Sequence, residues 1–262
     1  AWHDKALALD PLSAVANVYV GVDRALAGDD SATARFVRAI ALDPRLPESY
    51  WQYALAQRFA GRPTSARELL ERALALDPSS EYTRAMLADT LLELHAPREA
   101  AAVLRGGGDG SLAAWLRSAA AVARANGDDE RARTYDRLSV DRAMPLADDR
   151  LLAAAALARL GRRAESLAAF ERLLADSAGT VPIVRLWQAD LGAPDVLLYL
   201  DLVREQRGIA AAQAAANSVA VHLQAMRKGG VRLAALDALL DAVRRYDPQS
   251  KPSVNNRSPL NT

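Results

Sequence analysis

Short apolar runs ending in Asp-Pro punctuate the first third of the chain. Ala6–Pro11 reads Ala-Leu-Ala-Leu-Asp-Pro, Ala39–Pro44 reads Ala-Ile-Ala-Leu-Asp-Pro, and Ala73–Pro78 repeats the first form. The prolines stand at 11, 44 and 78, so the steps are 33 and 34 residues. A phrase returning at such a period marks an array of helical repeats, in which each unit buries its apolar face only against its neighbours. Proline closes each run because it drives the preceding residue out of the helical region. Trp2, Ala6 and Leu9 stand at helical spacing before the first Asp-Pro. Ala1–Pro11 is therefore expected to be the end of a helix whose pair partner precedes it, in a fragment of something longer.

The same pattern predicts the elements that follow. Leu12–Ala27 and Ser31–Leu42 pair across Gly28-Asp29-Asp30; Pro47–Ala60 and Pro63–Leu76 pair across Gly61; Glu81–Leu94 and Pro97–Leu104 follow. Glycine supplies a left-handed cap, and acids favour the next helix N-terminus through its dipole. Pro63 and Pro97 suit a first helical turn. The unit starting at Ser13 is one residue short, a deletion expected in its inter-helix turn.

These residues resemble the tetratricopeptide repeat, a 34-residue helix–turn–helix pattern. The unit at Pro47 supplies Tyr50, Tyr53, Ala54, Gly61, Ala66, Leu70, Ala73 and Pro78 at the family's positions, with Gln57 departing from it. The unit at Glu81 supplies Leu87, Ala88, Leu91, Ala100 and Leu104, with His95 in place of the turn glycine. Small residues let the paired helices approach, and bulky ones fill the space between pairs. The resemblance implies an all-α, right-handed αα-superhelix, a solenoid of antiparallel helix pairs.

After the clear repeats of 1–104, the segment 105–110 contains Gly106-Gly107-Gly108-Asp109-Gly110. A phosphate-binding loop needs Gly-Lys-Ser/Thr at its end, and Gly110-Ser111-Leu112 follows instead, so this segment reads as a flexible joint. Divergent repeats are expected over 111–246. Ser111–Asn126 and Asp129–Arg142 flank Gly127, and Asp149–Leu160 and Arg163–Ala175 flank Gly161. Pro182–Leu191 and Pro194–Arg207 form a weaker pair, followed by Ile209–Lys228 and Val231–Tyr246. Residues 247–262, rich in Pro, Ser and Asn, read as a flexible tail.

Composition narrows the chemistry. Hydrophobic residues make up 51% of the 262 and charged residues 25%, enough for a continuous core. The formal net charge of +1 gives no electrostatic footprint for nucleic acid. No stretch of about 20 uncharged apolar residues exists to span a membrane. Cysteine is absent, which removes thiolate catalysis and cysteine metal sites. Three lysines against 30 arginines, with abundant alanine, suggest a GC-rich bacterial genome and leave cytoplasm and periplasm both open.

His3, His95 and His222 lie in unrelated repeats, and only Glu99 stands four residues from one of them. The acid pairs Asp29-Asp30, Asp128-Asp129 and Asp148-Asp149 fall at helix starts, where capping accounts for them. No catalytic, cofactor-binding or metal-binding residues are assigned, and the chain reads as a non-enzyme.

A binding groove is the function that the resemblance implies. First helices of the family line a concave surface, which here puts Glu48, Trp51, Gln52, Leu55, Arg58 and Phe59 on one helix. Tyr82, Met86 and Asp89 follow on the next, and Arg117 and Arg124 beyond the glycine joint. Aromatic, aliphatic and charged side chains together suit a protein or peptide ligand. Trp51 and Tyr82 have a second reading, as packing between neighbouring first helices. The family's carboxylate clamp lacks its Lys and Asn here, where Trp51, Leu55, Ala85 and Asp89 stand instead. In Ile209–Met226, which carries no charge, Gln213, Asn217 and Gln224 share a stripe that reads as a buried helix or a polar seam. The expected function is a protein-binding scaffold within a larger bacterial protein. Alternatives are the sensory C-terminal region of a membrane-anchored transcription activator or nucleotide cyclase, and a periplasmic scaffold for exopolysaccharide export.

Overall fold

The turns inside the helix pairs close in one way, and that closure sets the architecture. The computed structural model describes residues 2–107, 113–142, 147–176, 193–228, 230 and 234–250, and the described residues form fourteen α-helices. They are α1 (Trp2–Leu9), α2 (Ala14–Leu26), α3 (Ala32–Leu42), α4 (Pro47–Phe59), α5 (Pro63–Leu76), α6 (Glu81–Glu93) and α7 (Pro97–Arg105). Then come α8 (Ala113–Ala125), α9 (Asp129–Asp141), α10 (Ala147–Arg159), α11 (Arg163–Asp176), α12 (Ala193–Arg207), α13 (Ile209–Lys228) and α14 (Ala234–Arg244). Each boundary lies within a few residues of its sequence expectation. The helix expected at Pro182–Leu191 lies outside the described residues.

At Gly28, Gly61, Gly127 and Gly161 the backbone is left-handed, with φ of 67°, 73°, 79° and 81°. The residue after each glycine donates its N–H back across the helix end, Asp29 to Arg24, Arg62 to Gln57, Asp128 to Ala123 and Arg162 to Leu157. This is the glycine-capped closure that satisfies the last helical carbonyls and turns the chain antiparallel. His95 makes the same closure at φ 57°, with Ala96 donating to Leu91. The short first unit loses its residue in this turn. Gly28 to Ala32 is four steps where Gly61 to Ala66 is five, and α3 starts at its buried alanine without a preceding turn of helix.

Between pairs the Asp-Pro phrase does the turning. Asp10, Asp43 and Asp77 each accept, through Oδ1, the N–H two residues on, at 3.1, 2.9 and 3.1 Å. That local bond replaces the helical pattern which the proline has ended. The following proline carbonyl then receives a donor from six residues downstream. Asn17 reaches Pro11 at 3.4 Å, Tyr50 reaches Pro44 at 3.0 Å and Arg84 reaches Pro78 at 2.5 Å. Three unrelated side chains at one repeat position thus hold the same connection.

Small residues let the pairs close. Gly21, Ala54 and Ala88 occupy equivalent buried sites, and a Cβ built on Gly21 would lie 3.0 Å from the Phe36 ring. Among the described residues, apolar burial is organised as three clusters. One joins α2 and α3 through Val18, Phe36 and Ala39. A second runs from Ala54 to Val122, and a third from Ala154 to Tyr246. The second contains Leu104 of α7 together with Trp115 and Leu116 of α8, so one core continues across the glycine-rich joint. Among the described residues of that joint, Gly106 and Gly107 lie against the Arg84 guanidinium, where a Cβ on Gly106 would stand 2.5 Å from Nη1. Between the second and third clusters, Asp136 of α9 is 1% exposed and takes Arg124 of α8 and Arg159 of α10, the latter at 3.0 Å. Charge bridges the array where the apolar core divides.

The expected tail begins in an ordered way. Asp247-Pro248 forms another Asp turn, with the Gln249 N–H on Oδ1 at 2.9 Å, and Arg204 donates to the Ser250 carbonyl at 2.8 Å. Residues 251–262 lie outside the described residues.

Candidate functional site

The candidate surface is built from the first helices α4, α6 and α8, whose side chains face one another across the seams between repeats. Glu48 accepts the Tyr19 hydroxyl at 2.7 Å and so ties α4 to α2. That bond to an anion, with burial, pushes the Tyr19 hydroxyl up to about 12. Arg58 donates to Glu93 at 2.5 Å and ties α4 to α6; its own side chain is 6% exposed while that of Glu93 is 45% exposed. Asp89 on α6 pairs with Arg117 on α8. Arg124 is the guanidinium that shares Asp136 with Arg159. Burial and the adjacent charge of Arg159 push Arg124 below the ordinary arginine value, against the pull of Asp136.

Trp51 and Tyr82 meet edge to face, with ring centroids 5.3 Å apart and planes at 80°. Both are half-buried, and both pack on the second apolar cluster. The packing reading of these aromatics therefore holds for part of each ring, while the remainder reaches solvent. The backbones of α4 and α6 keep further apart than those of α6 and α8, and this aromatic pair occupies the gap.

Not all of the expected groove residues reach the surface. Leu55, Phe59 and Met86 are core side chains at 1%, 7% and 5% exposure, and Gln52 is buried beside them. Leu55 and Phe59 belong to the apolar cluster that includes Ala66 and Leu70 of α5, and on α6 nine successive residues from Thr83 to Leu91 are buried. A helix held on nearly every side has no free stripe for a pattern to mark. The surviving accessible set is Glu48, Trp51, Tyr82, Arg117 and Arg124, with exposed Glu93 paired to Arg58, whereas Asp89 is buried at 8% and the Arg58 side chain is 6% exposed. Glu93 occupies one of the family's groove positions, and its pairing with Arg58 spans 35 residues, close to one repeat. Tyr19 was missed, because its partner Glu48 lies 29 residues on, short of the repeat period by about one helical turn.

His3, Glu99, Asp29 and Asp128 are accounted for locally. His3 lies 2.7 Å from Asp23 and stacks on Tyr19, and Glu99 pairs with Arg67 at 2.9 Å instead of serving His95. Among the described residues, no three His, Asp or Glu side chains cluster as a metal site. Asp128 caps α9 by accepting the Arg131 N–H at 3.1 Å, and Asp29 accepts the Ser31 N–H at 2.8 Å. On α13, Gln213 and Asn217 are exposed and bond each other at 3.3 Å, while Ala212, Ala216 and Leu223 face inward. The amide stripe is thus an outer face, in contrast to the buried expectation. Among the described residues, no helix is long and apolar enough to cross a membrane.

Comparison with known proteins agrees with this architecture. Residues 59–109 match the family model described as Tetratricopeptide repeat. No curated protein sequence matches the chain. Among solved structures it is similar to PilF of Pseudomonas aeruginosa, with 16% identity, 87% of this chain and 100% of that chain covered, and a TM-score of 0.52. Yeast Tom70 aligns at 14% identity and a TM-score of 0.58, over 92% of this chain and 48% of that one. The APC/C hetero-tetramer Cut9–Hcn1 aligns at 16% identity and a TM-score of 0.57, over 92% and 44%. The chain thus spans less than half the length of the last two. Tetratricopeptide repeats are present at residues 59–109, and the described helices form a solenoid of the same kind.

Proposed function

We propose that the chain is a non-catalytic scaffold that binds a protein or peptide along its first-helix face, at the seam between α4 and α6. The observation carrying this reading is the half-exposed Trp51–Tyr82 pair, an aromatic step on first helices that also carry Glu48, Glu93 and Arg117. Aromatic rings beside charged groups supply contact area at small entropic cost, and the polar rim selects orientation. Leu55, Phe59 and Met86 form the floor beneath the step and act by holding it in place. Cut9–Hcn1, a hetero-tetramer, is a case where a similar fold assembles with other protein chains.

Selection of ligands from a displayed random-peptide library tests the reading. Selected peptides should bind saturably, and Tyr82→Ala should weaken them by about tenfold or more, as expected for an aromatic anchor. Failure to select any saturable ligand contradicts the proposal, as does an affinity unchanged by both Tyr82→Ala and Trp51→Ala in folded protein.

A further inference from the structure

A second concave surface lies on α9, away from the aromatic step. A cavity of about 430 Å³ opens between α9 and the junction of α10 with α11, lined by Arg133, Arg137, Arg159 and Arg162 together with Asp141 and two apolar residues. That volume falls in the range of small-ligand pockets. The four guanidinia differ in how far they are already engaged. Arg162 holds Glu165 with Nε and Nη2 at 2.8 and 2.7 Å. Arg159 is anchored on Asp136 through Nε alone, which fixes its position and leaves both Nη groups for another acceptor. Arg133 and Arg137, one turn apart on α9, are exposed, and neither has a hydrogen bond or ion pair among the described residues.

Positive charge is in excess here. Asp136 is shared by two arginines, Arg124 and Arg159, and among the described residues Asp141 is the one acid in the lining. Solvated arginines on an open helix face are ordinary. Two of them beside a cavity, with a third already anchored, can converge on one anion. A planar carboxylate offers one edge to one guanidinium fork, whereas a tetrahedral phosphate accepts from several directions at once.

We propose that the α9–α10 cavity binds the phosphate group of a small phosphorylated molecule, through Arg133, Arg137 and the anchored Arg159. Calorimetric titration of the whole chain with inorganic pyrophosphate tests this, with succinate as a dicarboxylate control. Saturable one-to-one pyrophosphate binding is expected, weakened about tenfold or more by Arg133→Gln with Arg137→Gln, since two charge-assisted contacts are lost. A second pair, Arg98→Gln with Arg105→Gln on α7, removes equal charge elsewhere and should change affinity less than about twofold. The proposal is overturned by absence of saturable binding, by equal losses in the two double variants, or by succinate binding as tightly as pyrophosphate. All four substituted positions are exposed, so the melting temperatures should match the parent chain; if the α9 pair melts lower, Arg133→Gln alone carries the comparison.

Discussion

His95 holds a left-handed backbone with a full side chain, where every other described turn of this kind uses glycine. Such a conformation costs an L-residue about 1–2 kcal/mol, partly offset by the greater freedom of glycine in the unfolded chain. His95→Gly should therefore raise stability by about 1 kcal/mol, read as a higher denaturation midpoint with an unchanged denaturant slope. Two tyrosines make a second prediction at this scale. The bond to Glu48 raises Tyr19 to about 12, and burial, followed by the Asp201 charge, raises Tyr246 to about 12. A folded value above the unfolded one of about 10 stabilises the protein fully below that pH. The contribution is lost as pH rises from about 10 through 12. Tyr19→Phe and Tyr246→Phe should each flatten the fall in urea midpoint between pH 9 and 12. The sequence marked His95 as the missing glycine because the period left one position to fill. It gave no sign that Asn17, Tyr50 and Arg84 share one hydrogen-bonding task, because the bond goes to a backbone carbonyl and constrains geometry more than residue type.

At the scale of the helix, the boundaries were legible because each is set by residues at the boundary itself. Proline starts α4, α5 and α7, Asp-Pro ends the second helices of the first units, and glycine ends the first. Which face of a helix is free was less legible. Burial of Leu55, Phe59 and Met86 depends on neighbours one repeat away, and α6 is enclosed almost all round. The small buried sites are the opposite case, plain in sequence and strict in structure. Ala88 is 0% exposed where two helices pack, so Ala88→Leu should destabilise by about 1–3 kcal/mol through overpacking, measured by chemical denaturation.

Over the whole molecule, the array is a chain of nearest-neighbour seams, some apolar and some ionic. Asp136 is a buried ionic link between repeats, set where the second and third core clusters separate. Asp136→Ala leaves two partly buried guanidinia facing each other, and should cost about 3 kcal/mol. Because solenoid stability is a sum over units and interfaces, the loss should also broaden unfolding or divide it into two steps. Neither the ionic seam nor the α9 cavity was visible in the sequence. Their members come from three helices, and an arginine-rich chain offers many equivalent pairings.

The central claim is that ligand is gripped by the first helices while the second helices carry the scaffold. Amide hydrogen exchange, compared with and without a saturating selected peptide, tests it most directly. The account predicts added protection concentrated in α4 and α6 around Trp51 and Tyr82, with α5 and α7 unchanged. Protection confined to α5, α7 or α9 would contradict it.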